Sequence, residues 1–440
     1  MNTSQLLRYD LPVSLGRAAL RIRRWQSERQ ASRARGWKSQ VLTPPLRSSA
    51  QVKELIARHY LEGRYANQAR KVAWVTSGAP VELLKAFDFY VLYPENHAAV
   101  CGAMRIAEDL AVQAENAGYS RDICSYARTD LGALLSGRTP AGRLPRPDLL
   151  YACTNICQTV LAWYRVLADH FGVPLILIDT PFLYQEPGEH VLLYVQRQFE
   201  AAIPLVEQVA GRSLDESRLR ETTSLSRMAS QLWMEIMECA QHHPAPISVM
   251  DQFTHMAPIV EMRGDARTVD YYAGMLREVH QRMTQGIGVT KDEKRRLLWD
   301  NLPIWFRLRS LAEQLGERGA VLIASTYTNA WGELAEMVDP GEPFGSMARV
   351  YLYPILNQST GHKLNIMQHM VGKYELDGAI LHSDRSCKPY SIGQMDQRDR
   401  LSKELGIPAL LLDADHNDPR SFSDEQVATR LGAFLEMLGV

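Results

Sequence analysis

Short apolar runs alternate with helix-length amphipathic segments along most of the chain, a pattern that predicts a doubly wound α/β protein. The runs at 71–76, 87–93, 149–152 and 175–178 read as buried parallel strands. The first two stop at helix-start signatures, Ser77-Gly78-Ala79-Pro80 and Pro94-Glu95-Asn96. Helical periodicity fills 99–117, ahead of a polar loop that holds Cys124. From about 191 to 288 long apolar-periodic stretches replace the strand-like runs, with a capping box expected at Ser213 and Glu216. Strand-like runs return at 320–324, 379–381 and 409–412, and a terminal helix is expected over 424–438. The N-terminal region reads as helical, broken at Pro44-Pro45 and amphipathic over 52–65. The expected architecture is α/β, with two Rossmann-like parallel-sheet lobes (67–190 and 291–440), a helical connector (191–290) and a helical N-terminal region (1–66).

One unit occurs twice: a short apolar strand, a cysteine just past its end, a helix-length segment, and a second strand reading Gly-aliphatic-Pro-x-x-x-x-Asp. The first copy runs from Leu149 through Cys157 to Gly172-Val173-Pro174 and Asp179. The second runs from Ala379 through Cys387 to Gly406-Ile407-Pro408 and Asp413. Superimposing the Gly-x-Pro strands puts Cys157 opposite Cys387 and Cys153 opposite Ser383. Open α/β sheets take ligands beyond the carboxyl ends of their strands, so two such halves face to face would bring distant thiols into one cleft.

At 440 residues, 46% hydrophobic and 22% charged, the chain has material for two or three domains with sizeable cores. A formal net charge of -1 offers no general attraction to nucleic acid or anionic lipid. The arginine-rich stretch 17–35 (Arg21, Arg23, Arg24, Arg29, Arg33, Arg35) reads as a solvated or subunit-contacting helix, because no aromatic interleaving suits base stacking. No apolar run is long enough to span a membrane and no secretory pattern opens the chain, so a cytoplasmic protein is expected. Six cysteines are too sparse for a disulfide scaffold, which leaves packing, catalysis or metal ligation.

Cys101 and Cys239 fall within apolar helical pattern and read as small hydrophobes. Cys124 enters a helix between Arg121 and Arg128, and Cys387 lies beside Arg385 and Lys388. Helix dipoles and cations favour thiolates at such places. Neither C-x-x-C, H-E-x-x-H nor a ferredoxin-type run is present. Three scattered thiolates, Cys124, Cys157 and Cys387, suit an iron-sulfur cluster with one iron left open; separate burial as packing residues is the alternative. Asp413, Asp415, His416 and Asp418 read as a solvated strand-to-helix loop with helix capping rather than a metal site.

At these residues the chain closely resembles the 2-hydroxyacyl-CoA dehydratase and benzoyl-CoA reductase family. The resemblance rests on residues 75–84, on Tyr93-Pro94-Glu95-Asn96-His97, on Cys124-Ser125-Tyr126-Ala127-Arg128, on Asn155-Ile156-Cys157 with Trp163-Tyr164, and on Arg385-Ser386-Cys387-Lys388-Pro389-Tyr390. Within the family, the Ser77-Gly78-Ala79-Pro80 and Pro94-Glu95-Asn96-His97 stretches look most like the larger substrate-binding subunit of ATP-dependent benzoyl-CoA reductases. The resemblance implies one 4Fe-4S cluster held by Cys124, Cys157 and Cys387, with Cys153 close enough to replace Cys157. It also implies dearomatising one-electron reduction of an aryl-CoA such as benzoyl-CoA. Its implied partners are a related cluster-binding subunit, ATP-hydrolysing activator subunits and reduced ferredoxin as donor. ATP hydrolysis would belong to the partners, since the chain has no G-x-x-x-x-G-K-[ST] loop. Radical 2-hydroxyacyl-CoA dehydration and a non-catalytic relay or structural cluster subunit are the rival readings. His97, Glu95 and Tyr390 are the candidate proton donors or orienting groups. Ser77 and Gly78, whose turn could present N–H groups to a CoA phosphate, and Arg385 and Lys388 are the candidate substrate contacts.

Overall fold

The computed structural model describes residues 5–32 and 39–440 and contains two four-stranded parallel sheets of identical strand order. β1 (Val72–Val75), β2 (Tyr90–Leu92), β3 (Leu149–Cys153) and β4 (Leu175–Ile178) form the first, in the order β2-β1-β3-β4. β5 (Arg295–Asp300), β6 (Ala320–Ser325), β7 (Gly378–Asp384) and β8 (Ala409–Ala414) form the second, in the order β6-β5-β7-β8. β1, β3 and β6 are buried at every position, because helices cover both sheet faces. The α/β class, the two parallel sheets and the helical N-terminal region agree with the sequence. In each sheet the order reverses between the first and third strands (β1/β3 and β5/β7), which opens the ligand crevice of such folds.

Three local expectations are corrected. β5 is a strand where the apolar pattern predicts none, because its apolar part is only Leu297-Leu298-Trp299, flanked by Arg295, Arg296 and Asp300. The helical pattern at 99–117 is two helices, Pro94–Ala103 and Ala107–Asn116, split where Arg105 takes φ +59. The cap expected at Ser213 is supplied by Asp215, whose carboxylate accepts from Ser217 N and Arg218 N; a capping box occurs instead at Ser248 and Asp251.

The connector is helical, with Glu189–Ala210, Glu216–Glu238 and Ala266–Thr284 as its longest elements. The N-terminal helix Leu11–Ser32 lies on Ser48–Tyr65, to which Arg17 and Arg24 reach through Glu62 and Glu54. Arg33 and Arg35 lie outside the described residues. Packing crosses the sequence order: Val338, Met347, Val350, Tyr351 and Leu352, from the β6–β7 crossover, belong to the core of the first sheet. No helix among the described residues is long and apolar enough to cross a membrane.

Strand pairing also revises the repeat. Leu150 pairs with Leu175 and Ala379 with Ala409, each just after its Gly-x-Pro, so Leu150 corresponds to Ala379. Cys153 then matches His382 rather than Ser383. The second crossover carries one extra residue before its cysteine, and β7 continues to Asp384.

Candidate active site

Each of the three cysteines singled out by the sequence stands directly before a helix. Cys124 precedes Ser125–Ser136, Cys157 precedes Gln158–Phe171 and takes the Val160 N–H on its sulfur at 3.4 Å, and Cys387 precedes the short Lys388–Ser391 turn. All three are free and half-buried, and they border one apolar cluster with Ile156, Tyr327 and Tyr390. Burial, then the neighbouring Cys124, pushes Cys157 up to about 12. Burial, Asp384, and then Cys124 and Cys157 raise Cys387 well above its ordinary value. Such mutual influence places the sulfurs within electrostatic reach of one another. Cys124, Cys157 and Cys387 thus border the same apolar cluster, whereas the trio of ligand atoms lying within 4.8 Å of one another among the described residues is Asp384, Asp415 and His416.

Cys153 does not join them. It is the last residue of β3, and strand alternation turns it with Leu149 and Tyr151 to the opposite sheet face, fully buried. Cys101 and Cys239 are buried in other clusters, as expected of packing residues.

Three of the four cations expected to activate the thiols, Arg128, Arg385 and Lys388, are engaged elsewhere. Buried Arg128 is taken up by Glu115 (2.6 Å) and Asp418 (2.9 Å). Arg385 pairs with Asp413 at 2.7 Å in solvent, and Lys388 donates to the Arg385 carbonyl. Desolvation prevails at Cys157 and Cys387, which favours the neutral thiol until a metal displaces the proton. The cation brought toward Cys387 is Lys363, for which no local pattern argued. It is buried, bonded to the Pro389 carbonyl at 2.7 Å, and lies 5.7 Å above the Tyr390 ring.

Glu95 stands at the end of β2 and Ser77 at the end of β1, neighbouring strands, so residues 18 apart in sequence meet. The Glu95 carboxylate accepts the Ser77 N–H at 2.7 Å and its hydroxyl at 3.2 Å. Burial outweighs those bonds and lifts Glu95 to about 7. The Ser77 N–H is therefore occupied, which corrects the idea that it greets a phosphate. Gly78 is required for close approach: a Cβ there would lie 2.3 Å from Asn155 Oδ1, while Asn155 Nδ2 donates to the Gly78 and Tyr351 carbonyls. His97 faces a different set of partners, Thr139 at 2.7 Å, Asp130 at 3.8 Å and Cys101 at 3.8 Å. Tyr390 lines a small apolar cavity of about 80 Å³ with Ser77, Gly78, Ile156, Tyr327 and Trp331.

The loop after β8 is not solvated. Asp415, His416, Asn417 and Asp418 are each no more than 1% exposed. His416 Nδ1 meets Asp384 at 2.6 Å, and Nε2 meets Ser125 Oγ at 2.9 Å and Cys124 Sγ at 3.9 Å. Burial opposes its charge, but Asp384 and Asp415 hold the imidazolium well above its usual pKa. Asp384, Asp415 and His416 bring ligand atoms within 4.8 Å of one another. With both ring nitrogens donating, however, the imidazole has no lone pair left for a cation.

Three soft sulfur donors bordering one cluster, each at a helix N-terminus, are of the donor type that suits a metal-thiolate centre. That combination defines a two-sheet α/β subunit with a candidate thiolate centre between its sheet edges. A family model described as 2-hydroxyglutaryl-CoA dehydratase, D-component, matches residues 76–438, and the chain belongs to that family. It is 34% identical over 393 residues to the (R)-2-hydroxyisocaproyl-CoA dehydratase alpha subunit of Clostridioides difficile (88% of this chain, 95% of the relative). It is 31% identical over 400 residues to the (R)-phenyllactyl-CoA dehydratase alpha subunit of Clostridium sporogenes (88% and 97%). It is 30% identical over 409 residues to a benzoyl-CoA reductase subunit of Thauera aromatica (89% and 94%). Subunits of both enzyme types thus share the family, and these relatives are components of multi-subunit enzymes.

Proposed function

We propose that this chain is the cluster-bearing, substrate-binding subunit of an enzyme that reduces a CoA thioester by single electrons, with a 4Fe-4S cluster held by Cys124, Cys157 and Cys387. What supports this reading is that three free thiols border one apolar cluster and that Cys157 and Cys387 are each influenced by the neighbouring thiols. When bound, such a cluster would supply low-potential electrons and an open iron able to polarise the thioester oxygen.

The remaining work falls to side chains already in place. Glu95, near half-protonation at neutral pH, holds a proton that it can give or take, and Ser77 fixes its orientation. Ile156, Tyr327, Trp331 and Tyr390 keep water from the acyl group. Reduction of an aryl-CoA such as benzoyl-CoA is the first reading, supported by the aromatic lining of that cavity and by the benzoyl-CoA reductase relative. Electrons would come from reduced ferredoxin through ATP-hydrolysing activator subunits, with a related cluster-binding subunit closing the cleft.

A second reading, subunit of a radical 2-hydroxyacyl-CoA dehydratase, is supported by the dehydratase alpha subunits at 34% and 31% identity and by a carboxyl able to accept a proton from the acyl chain. Counting product against electrons consumed by the purified complex separates the two. A reductase consumes electrons in fixed ratio to product, whereas a dehydratase turns over many times per electron. Failure of aryl-CoA and 2-hydroxyacyl-CoA alike to perturb the centre's spectrum would overturn both.

A further inference from the structure

The N-terminal helix Leu11–Ser32 has two apolar faces, and the fold uses one of them. The inner face packs on Ser48–Tyr65. There Val13 is buried, Gly16 stands so close to Leu61 that a Cβ would lie 2.5 Å from Leu61 Cδ2, and Arg17 and Arg24 reach Glu62 (2.6 Å) and Glu54 (2.8 Å). The outer face carries Leu11, Leu15, Ala18, Ile22 and Trp25, in alternating steps of four and three residues, the heptad rhythm of a helix-helix seam. Its four large side chains are between 50% and 64% exposed, and Ala18 is exposed as well. The stripe runs about 21 Å along the helix at roughly 1.5 Å per residue. A surface helix turns a single apolar stripe to the core and a polar face to water, so a second stripe of this length marks a contact surface.

We propose that this stripe is the docking face for one amphipathic helix of a partner subunit, a helix whose own apolar seam is flanked by aspartate and glutamate. The inference rests on the reading of this chain as one subunit of a larger enzyme. Charge selects the occupant. The helix carries Arg17, Arg21, Arg23, Arg24 and Arg29 against a single acid, Glu28. Arg17 and Arg24 are taken up on the inner face, whereas Arg21 and Arg23 stand exposed and Arg29 lies 3.8 Å over the Trp25 ring at the end of the stripe. A second copy of this chain would set that cationic margin against another like it. An acidic partner neutralises the margin and adds ion pairs along both sides of the seam, while Leu11, Leu15, Ile22 and Trp25 supply the apolar anchors. None of these residues belongs to the thiol site.

The test compares the complex purified through a tag on this chain in three forms, wild type, Leu15→Glu with Ile22→Glu, and Arg21→Glu with Arg23→Glu, by light scattering and mass spectrometry of the components. The apolar pair should give a folded chain, with circular dichroism and thermal unfolding as in wild type, that has lost a partner subunit. The arginine pair should bind that subunit, released from the wild-type complex, about tenfold more weakly at low salt, with the difference shrinking as salt screens it. Retention of every wild-type subunit by Leu15→Glu with Ile22→Glu overturns the proposal. So does loss of a second copy of this chain in place of a different subunit, and so does unchanged affinity in the arginine pair. A wild-type chain that purifies alone overturns instead the subunit reading on which the proposal stands. Should the apolar pair misfold, a photo-crosslinker placed at Trp25 in the otherwise wild-type complex decides. Attachment to an acid-flanked helix of another subunit is expected, and attachment elsewhere, or none, contradicts the proposal.

Discussion

At the edge of the first sheet, Cys157 shares its surroundings with Ser77 and Glu95, a carboxyl left near half-protonation at neutral pH by burial. At the edge of the second, Cys387 stands beside Asp384, held ionised by the His416 imidazolium despite burial. The two edges have the same strand order and the same cysteine-before-helix arrangement. One holds a carboxyl raised by burial and the other an ion pair. In the second sheet β7 runs on to Asp384, two residues past the match of Cys153, and sets a carboxylate against His416. Duplicated topology thus fixes where the thiols lie, while short local changes decide the electrostatics around each.

The contrast breaks most severely at Asp384. Asp384→Ala leaves a buried imidazolium without its principal partner and should cost about 3–5 kcal/mol of stability in denaturant unfolding. A change under about 1 kcal/mol would show that the second edge is not organised around this pair. On the first edge, Glu95→Gln should leave the chain folded and lower kcat by roughly 10²–10⁴, equivalent to about 3–5 kcal/mol of barrier. An unfolded Glu95→Gln protein, or one of full activity, would remove the proton-handling role.

Acidity sharpens the comparison further. Glu95 and the buried Glu261, which accepts from Tyr60 at 2.9 Å, both stand near 7 in the folded chain because burial raises them from an ordinary 4.5. Between those values the folded state binds more protons than the unfolded one. Their contribution to stability is thus fully present below about 4.5 and is lost as pH rises toward 7. Glu261→Gln should flatten that slope by at most about 3 kcal/mol, as read from unfolding midpoints across pH. The smallest effect is expected at Gly78, where Gly78→Ala pushes Asn155 from its two carbonyl partners. It should cost about 1–2 kcal/mol by thermal unfolding.

Most strands are legible in the sequence because short apolar runs end at Gly, Pro or Asn. β5 is not, since only three apolar residues stand between arginines and an aspartate. Cys153 stays open in the sequence, and the structure separates it by placing it with Leu149 and Tyr151 on the face opposite Leu150 and Ala152. The pairing of Ser77 with Glu95 follows from strand ends that are neighbours in the sheet, a placement that the adjacency of β1 and β2 in sequence suggests. The burial of His416 is hidden for a physical reason. Asp, His, Asn and Asp after a strand have the composition of a solvated turn, and partners distant in sequence bury them, among them Asp384 and, from a helix almost 300 residues earlier, Ser125, Arg128 and Asn417's partner Thr129. Lys363 carries no local signal, since its partner is a backbone carbonyl from a distant turn.

The most direct measurement is iron and sulfide content of the complex purified without oxygen from single cysteine variants. The account predicts strong depletion in Cys124→Ala, Cys157→Ala and Cys387→Ala, with wild-type content in Cys101→Ala, Cys153→Ala and Cys239→Ala. Full iron in any of the first three, or loss in Cys153→Ala, would contradict it.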